Sequence, residues 1–190
     1  MKQKDISLAT KKELAAALKQ LMAQKPLTKI TIRELSQVCG LNRNSFYYHL
    51  EDIYALLKWM LEEEAVDVVK RYDLMTDYRE VINFVPDYVE GNDYLLLNAY
   101  NAIGQAGLKR FLYLDFIDCI GALIDSGAQR QGITVDADYR HFLCAFYSEA
   151  LAGTLPDYLT HPQRRSRETL LEYPERLLKS TLPAAVGTKD

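Results

Sequence analysis

The chain has 190 residues, of which 48% are hydrophobic and 26% are charged, and its formal net charge at pH 7 is −3. This composition is sufficient for a packed core and indicates an ordinary globular protein. The charged opening segment has no apolar block long enough for a secretion signal or a membrane span, so we expect a cytoplasmic protein with no membrane partner. Three widely spaced cysteines, Cys39, Cys119 and Cys144, argue against a disulfide framework.

Charge is distributed unevenly along the chain. Residues 1–60 contain ten Lys and Arg against five Asp and Glu, a balance of +5, whereas residues 61–190 have a balance of −8. A basic N-terminal third is typical of a nucleic-acid-binding surface. Scattered lysines such as Lys2, Lys4, Lys11 and Lys12 are also compatible with a solvated surface that binds nothing.

Apolar residues recur at helical spacing from one end of the chain to the other, and the sequence has no pattern typical of β-strands. We therefore predict an all-α fold. The first helix is expected to run from about Leu8 to Ala23, because Pro26 follows soon afterwards.

Two short helices are predicted next from their capping residues. Thr31 is expected to cap the second helix, with Glu34 completing a capping box and Gly40 ending the helix. Asn42 is expected to cap the third helix, which covers about residues 43–49.

The rest of the chain is predicted to be helical as well. A fourth helix is expected to begin near residue 51 or 52 and to continue towards residue 72. Further helices are expected over about residues 77–89, 94–104, 106–130, 136–160 and 164–181. Kinks or breaks are expected at Pro86, Pro156 and Pro174.

The most informative stretch is ITIRELSQVCGLNRNSFYYHLEDIYALL, residues 30–57. Ser36 is small where the second helix must approach the third, Gly40 lies in the turn, and Phe46 supplies a bulky anchor. This spacing predicts a helix-turn-helix that presents residues 42–49 outward.

This stretch resembles the DNA-binding motif of the tetracycline-repressor (TetR/AcrR) family of transcription regulators. The matching positions are Thr31, Ile32, Arg33, Glu34, Leu35, Gly40, Leu41, Ser45, Phe46, Tyr47, His49, Leu56 and Leu57. The chain departs from the family pattern at Leu50, where relatives usually have Phe, and at Ile53, where they often have Lys. The resemblance implies an N-terminal three-helix DNA-binding domain, residues 1–52, and a larger helical domain for effector binding and dimerisation, residues 53–190.

Residues of the third helix and its approach are the predicted DNA-binding site. Arg43, Asn44 and Tyr48 lie opposite Phe46 and could reach base edges in the major groove, where Arg suits guanine and Asn suits adenine. Asn42 belongs to the site as the capping residue. The resemblance implies that phosphates are held by Lys29, Thr31, Ser45, Tyr47 and His49, aided by helix N-termini. Alternatively, Tyr47, Tyr48 and His49 are partly buried aromatic residues that tie the third helix to its neighbours.

Aromatic residues are concentrated later in the chain, where ten of the thirteen tyrosines and five of the six phenylalanines follow residue 60. They either line a pocket for a small-molecule effector or fill a helical core. Polar neighbours, namely Asn98, Asn101 and Gln105, either orient such a molecule or face water. The last two helices carry apolar faces that, as in relatives, would form the four-helix bundle of a homodimer; the alternative is packing within one chain.

Together these features predict a sequence-specific DNA-binding transcription regulator that binds a near-palindromic operator as a homodimer. Effector binding would change the spacing of the two recognition helices, with repression as the default. The alternative is a helical binding or scaffold protein that retains the motif without binding DNA. We expect neither enzymatic activity nor a cofactor, because the sequence has no phosphate-binding loop and no nucleophile with a base at usable spacing. His141 and Cys144, three residues apart, are too few for a metal site.

Overall fold

A computed structural model describes residues 3–66 and 78–187 of the chain. These residues form α-helices with short 3-10 and π turns, and they contain no β-strand, which confirms the predicted all-α fold. No helix in the described ranges is sufficiently long and apolar to cross a membrane. The predicted continuation of the fourth helix over residues 67–72 lies outside the described residues.

The chain packs into two compact units. Among the described residues, the first unit contains residues 3–66 together with Asn92–Gly104, and the second contains residues 78–91 and those from Gln105 onward. The functional boundary expected between residues 52 and 53 stays a prediction, because packing and function need not divide a chain at the same residue.

The first unit begins with four α-helices. They are α1 (Gln3–Met22), α2 (Ile32–Val38), α3 (Arg43–His49) and α4 (Ile53–Leu61). A 3-10 turn, Leu27–Lys29, lies between α1 and α2, and a π turn, Glu62–Val66, continues α4. Helix α1 packs against α2 and α4, and α2 packs against α3. The large, fully buried side chains of this unit are Leu14, Leu18, Leu35, Phe46, Leu56, Leu57, Met60 and Leu95.

Local hydrogen bonds set the ends of these helices. The Thr31 hydroxyl accepts the backbone N–H of Glu34 at 3.2 Å while the Glu34 carboxylate accepts the N–H of Thr31 at 3.0 Å, which is the predicted capping box. Asp52 caps α4 by accepting the N–H of Ala55 at 2.7 Å. Gly40 has a φ of 65°, a left-handed conformation that glycine adopts without strain, and it reverses the chain between α2 and α3.

The second unit is built from the later helices, and its core lies between three of them. The helices are α5 (Tyr78–Gly91), the part of α6 (Asp93–Gln131) that follows Gly104, α7 (Ala137–Ala152), α8 (Thr154–Thr160) and α9 (Tyr173–Gly187). Helix α6 is interrupted at Gly104, where φ is 75° and ψ is 170°, so the predicted break between residues 104 and 106 is present. The core consists of side chains from α6, α7 and α9, including Ile120, Ile124, Leu143, Tyr147, Leu182 and Val186.

The helix predicted over residues 136–160, with a kink or break expected at Pro156, is divided three residues earlier, because Gly153 ends α7 and α8 begins at Thr154. Pro156 lies in the first turn of α8, where its missing N–H breaks no helical hydrogen bond. The helix predicted over residues 164–181 instead begins as a π turn, Glu168–Glu172, and continues as α9. That wider turn comes just before Pro174, which has no N–H to bond the carbonyl four residues earlier.

Candidate nucleic-acid interface

Helix α3 is held in place by one cap and one anchor. The Asn42 side chain accepts the backbone N–H groups of Asn44, at 2.6 Å, and Ser45, at 3.1 Å. Phe46 is the buried residue of this helix and is completely inaccessible to solvent. A seven-residue helix is too short to be stable alone, so the packing of Phe46 fixes which face of α3 meets solvent.

The face of α3 away from Phe46 is open to solvent. Arg43 and Asn44 are exposed, and Tyr47 and Tyr48 have 53% and 72% of their surfaces accessible. The Tyr47 ring nevertheless meets the Phe46 ring edge-on at 5.7 Å, and the Tyr48 ring contacts His49, so the DNA-binding and packing roles of these tyrosines both stay predictions. Side chains with this exposure are able to reach a duplex laid against α3.

His49 and Ser45 are half-buried, unlike their neighbours. A hydrogen bond of 3.1 Å joins His49 Nδ1 to Ser7 Oγ of α1, and the Tyr48 ring meets the His49 ring edge-on at 4.9 Å. Helix α1 therefore orients the imidazole through this hydrogen bond. The contact agrees with the alternative interpretation of His49 as a partly buried residue that ties α3 to its neighbours. Its Nε2 is the ring nitrogen outside the bond to Ser7.

The start of α2 is held by an ion-pair network. Lys25 Nζ donates to Glu34 Oε1 at 2.6 Å, and the Thr31 hydroxyl donates to Glu34 Oε2 at 3.0 Å. The hydrogen bond from Lys25, followed by those from the Thr31 N–H and hydroxyl, lowers the pKa of Glu34 below its ordinary value. Both Thr31 donors are used within the capping box, so this residue positions α2 first, and its contact to phosphate stays a prediction.

The first unit has eight lysine and arginine side chains within residues 7–65. Five of them contact acidic or aromatic partners: Lys11 with Trp59, Lys12 with Glu63, Lys19 with Glu64, Lys25 with Glu34 and Lys58 with Glu62. Within the described part of the chain, Lys29, Arg33 and Arg43 have no such contact and are exposed. All three belong to the helix-turn-helix or the turn that precedes it.

Arg33, which the sequence pattern identified only as a motif match, is a further candidate for DNA contact. It lies in the first turn of α2 and is exposed. Its position inside the helix-turn-helix stretch is the sequence feature that points to this role. Lys11 and Lys12, considered as possible basic contacts, are instead directed to Trp59 and Glu63 of the same unit.

The two departures from the family pattern have different environments. Leu50, which replaces the usual Phe, is buried directly after α3. Ile53, which stands where the resembled family pattern often has Lys, is half-buried in the first turn of α4. The first unit therefore has an apolar side chain at this position of the motif.

Comparisons with known proteins agree with a helix-turn-helix regulator. The chain is similar to the HTH-type dhaKLM operon transcriptional activator DhaS of Lactococcus lactis subsp. lactis (strain IL1403), with 27% identity over 110 residues. That match covers 57% of this chain and 52% of the relative, so the chain spans about half the length of the relative that it matches.

The fold has a counterpart among solved structures. The structure titled dihydroxyacetone kinase operon activator DhaS matches with a TM-score of 0.71 and 16% identity, covering 93% of this chain and 98% of that one. At this identity the match establishes the helical fold. No protein-family model matches the sequence.

Proposed function

We propose that this chain is a sequence-specific DNA-binding transcription regulator of the TetR/AcrR type that reads a near-palindromic operator as a homodimer. The observation that carries the proposal is α3, whose buried Phe46 and capping Asn42 present Arg43, Asn44, Tyr47 and Tyr48 to solvent. Lys29 and Arg33 of the same unit are exposed and form no ion pair with any described residue, so they add positive charge to this surface. A helix of this kind, exposing Arg and Asn at its N-terminal end, suits the major groove.

The different roles proposed for Arg43 and Tyr47 of α3 give the first test. Replacing Arg43→Ala should weaken binding to the preferred duplex by about 1–3 kcal/mol while leaving other duplexes nearly unaffected, because Arg43 reads a base. Tyr47→Phe, which removes the hydroxyl alone, should weaken all duplexes alike, because Tyr47 holds a phosphate. Affinities would be measured by fluorescence anisotropy on the duplex that the wild-type chain selects from a random-sequence pool, and on a scrambled duplex.

Arg130→Ala is the matched control, since Arg130 is an exposed arginine of the second unit. It should bind both duplexes like the wild type. The reverse pattern, with uniform weakening in Arg43→Ala and altered preference in Tyr47→Phe, would exchange the two roles. A wild-type chain that selects no sequence would support the scaffold alternative and refute the proposed function.

The homodimer is supported by an exposed aromatic face on α7. Tyr139, Phe142 and Phe146 lie along one side of this helix, their rings stacked at centroid distances of 6.3 and 5.8 Å. Phe142 and Phe146 are 56% and 57% exposed. Adjoining exposed aromatic rings mark interaction surfaces in globular proteins. A second copy covering this face would bring two α3 helices to one operator.

A small-molecule effector is the remaining part of the proposal. Half-buried aromatic side chains of α6, including Phe111, Tyr113 and Phe116, would contact it within the second unit. The similar Lactococcus protein is named an activator, and that name favours activation over the repression expected from the sequence.

A further inference from the structure

The side chain of Asn98 is hydrogen-bonded to the segment that joins α1 to α2. Its Oδ1 accepts the backbone N–H of Leu27 at 2.7 Å, and its Nδ2 donates to the carbonyls of Met22, at 3.1 Å, and Lys25, at 3.0 Å. All these residues belong to the first unit. Neither sequence-based role, orienting an effector or facing water, describes this amide.

Each of the three bonds satisfies a backbone group that local structure leaves open. Met22 ends α1, and the last carbonyls of an α-helix have no partner within the helix. The 3-10 turn Leu27–Lys29 begins after Pro26, which provides no side-chain cap. Asn98 therefore acts as the cap of both elements from more than 70 residues away in sequence.

The capped turn carries Lys29, one of the three cations left without a partner in the described first unit. Its backbone bonds run from Lys29 N–H to the Pro26 carbonyl at 2.9 Å and from Ile30 N–H to the Leu27 carbonyl at 3.0 Å. Leu27 is 2% exposed, so its buried side chain anchors the start of the turn. The N–H of this same residue donates to Asn98 Oδ1. Without Asn98 Oδ1 as acceptor, the N–H of Leu27 would be left without a hydrogen bond. The free-energy cost of that loss would favour rearrangement of the turn.

We propose that Asn98 is a positioning residue for DNA binding: it fixes the turn that aims Lys29 at the phosphate backbone. The proposal rests on the proposed function, because it assigns Lys29 a phosphate contact. Asn98 itself touches no DNA. Its effect on affinity is exerted through Lys29, and that dependence separates a positioning role from a general contribution to stability.

A double-mutant cycle tests this dependence. Asn98→Ala and Lys29→Ala should each weaken binding to the duplex selected by the wild-type chain. The double variant should bind more tightly than the product of the two separate losses predicts, by a factor of about three or more. Asn98→Leu, which keeps the branched shape and the number of heavy atoms but removes the polar groups, provides a second variant if Asn98→Ala does not fold.

Asn101→Ala is the matched control, because Asn101 is an exposed residue on the same helix. It should leave both affinity and the Lys29 effect unchanged. Amide hydrogen exchange of the DNA-free protein, read at Leu27, should show lost protection in Asn98→Ala and retained protection in Asn101→Ala.

Two results would overturn the proposal: losses from Asn98→Ala and Lys29→Ala that multiply independently, or wild-type affinity in the Asn98 variants. Failure of the proposed function gives a different result, in which the wild-type chain itself selects no duplex. In that case unchanged exchange at Leu27 in Asn98→Ala would still refute the capping role.

Discussion

Replacing Phe46→Ala is expected to lower the free energy of unfolding by about 3–5 kcal/mol, the range found when a buried Phe is truncated. Phe46 is inaccessible to solvent and is the buried side chain of α3. Its loss would leave a cavity and release a helix too short to persist alone. Urea unfolding followed by circular dichroism would measure the change, and DNA binding should be lost with it because α3 would no longer have a fixed orientation.

Tyr47→Phe is the neighbouring control for this change. It keeps the ring that meets the Phe46 ring edge-on and removes only the hydroxyl of a side chain that is 53% exposed, so it should alter the free energy of unfolding by less than about 0.5 kcal/mol while still weakening DNA binding. Equal destabilisation by the two substitutions would mean that Phe46 does not anchor α3 in the way described.

The second large effect is expected at the aromatic face of α7. The double variant Phe142→Glu, Phe146→Glu should be monomeric, because burying four carboxylates at a two-fold interface without partners is costly. Light scattering should then give about the chain mass of 21.8 kDa, against about twice that for the wild type. Since a dimer holds its second α3 at high effective concentration, the monomer should bind a palindromic duplex about 100-fold more weakly or worse.

Leu114→Glu is the matched control for the dimer. Leu114 is an exposed apolar residue of α6 in the second unit, and its substitution should leave the dimer intact. A monomeric wild-type chain, or a double variant that remains dimeric, would contradict the assignment of this face to a second copy.

The parts of the fold predicted most accurately are those set by neighbouring residues. Helix α3 covers the predicted residues 43–49, and α2 has the predicted capping box, because Thr31, Glu34 and Asn42 act over two or three positions. The start of α1 was placed five residues too late, at Leu8 instead of Gln3, since the preceding residues carry no apolar stripe. The break expected at Pro156 lies at Gly153 instead, because Pro156 fits the first turn of α8 and does not itself interrupt a helix.

The parts of the candidate site that sequence patterns could not predict depend on distant partners. Lys12 and Lys19 look like basic surface residues until Glu63 and Glu64, more than 40 positions later, are seen to pair with them. The contact between Ser7 and His49 and the three bonds of Asn98 are of the same kind. No local spacing relates such residues, so tertiary packing decides which polar side chains remain available for DNA.

Contacts within the first unit occupy five of the eight lysine and arginine side chains of residues 7–65, and this determines how strongly the affinity for DNA should depend on salt. Each phosphate neutralised by a protein cation releases condensed counterions, so the salt dependence of affinity counts the cations that face the duplex. Because Arg43 is assigned to a base, Lys29 and Arg33 give four such contacts in a dimer, and the logarithm of the affinity should therefore fall with the logarithm of salt concentration at a slope of about −4. Titration of the selected duplex at several salt concentrations measures this slope. The +5 balance of residues 1–60 would suggest a steeper value, but four of the ten cations in that segment form ion pairs with glutamates of the first unit.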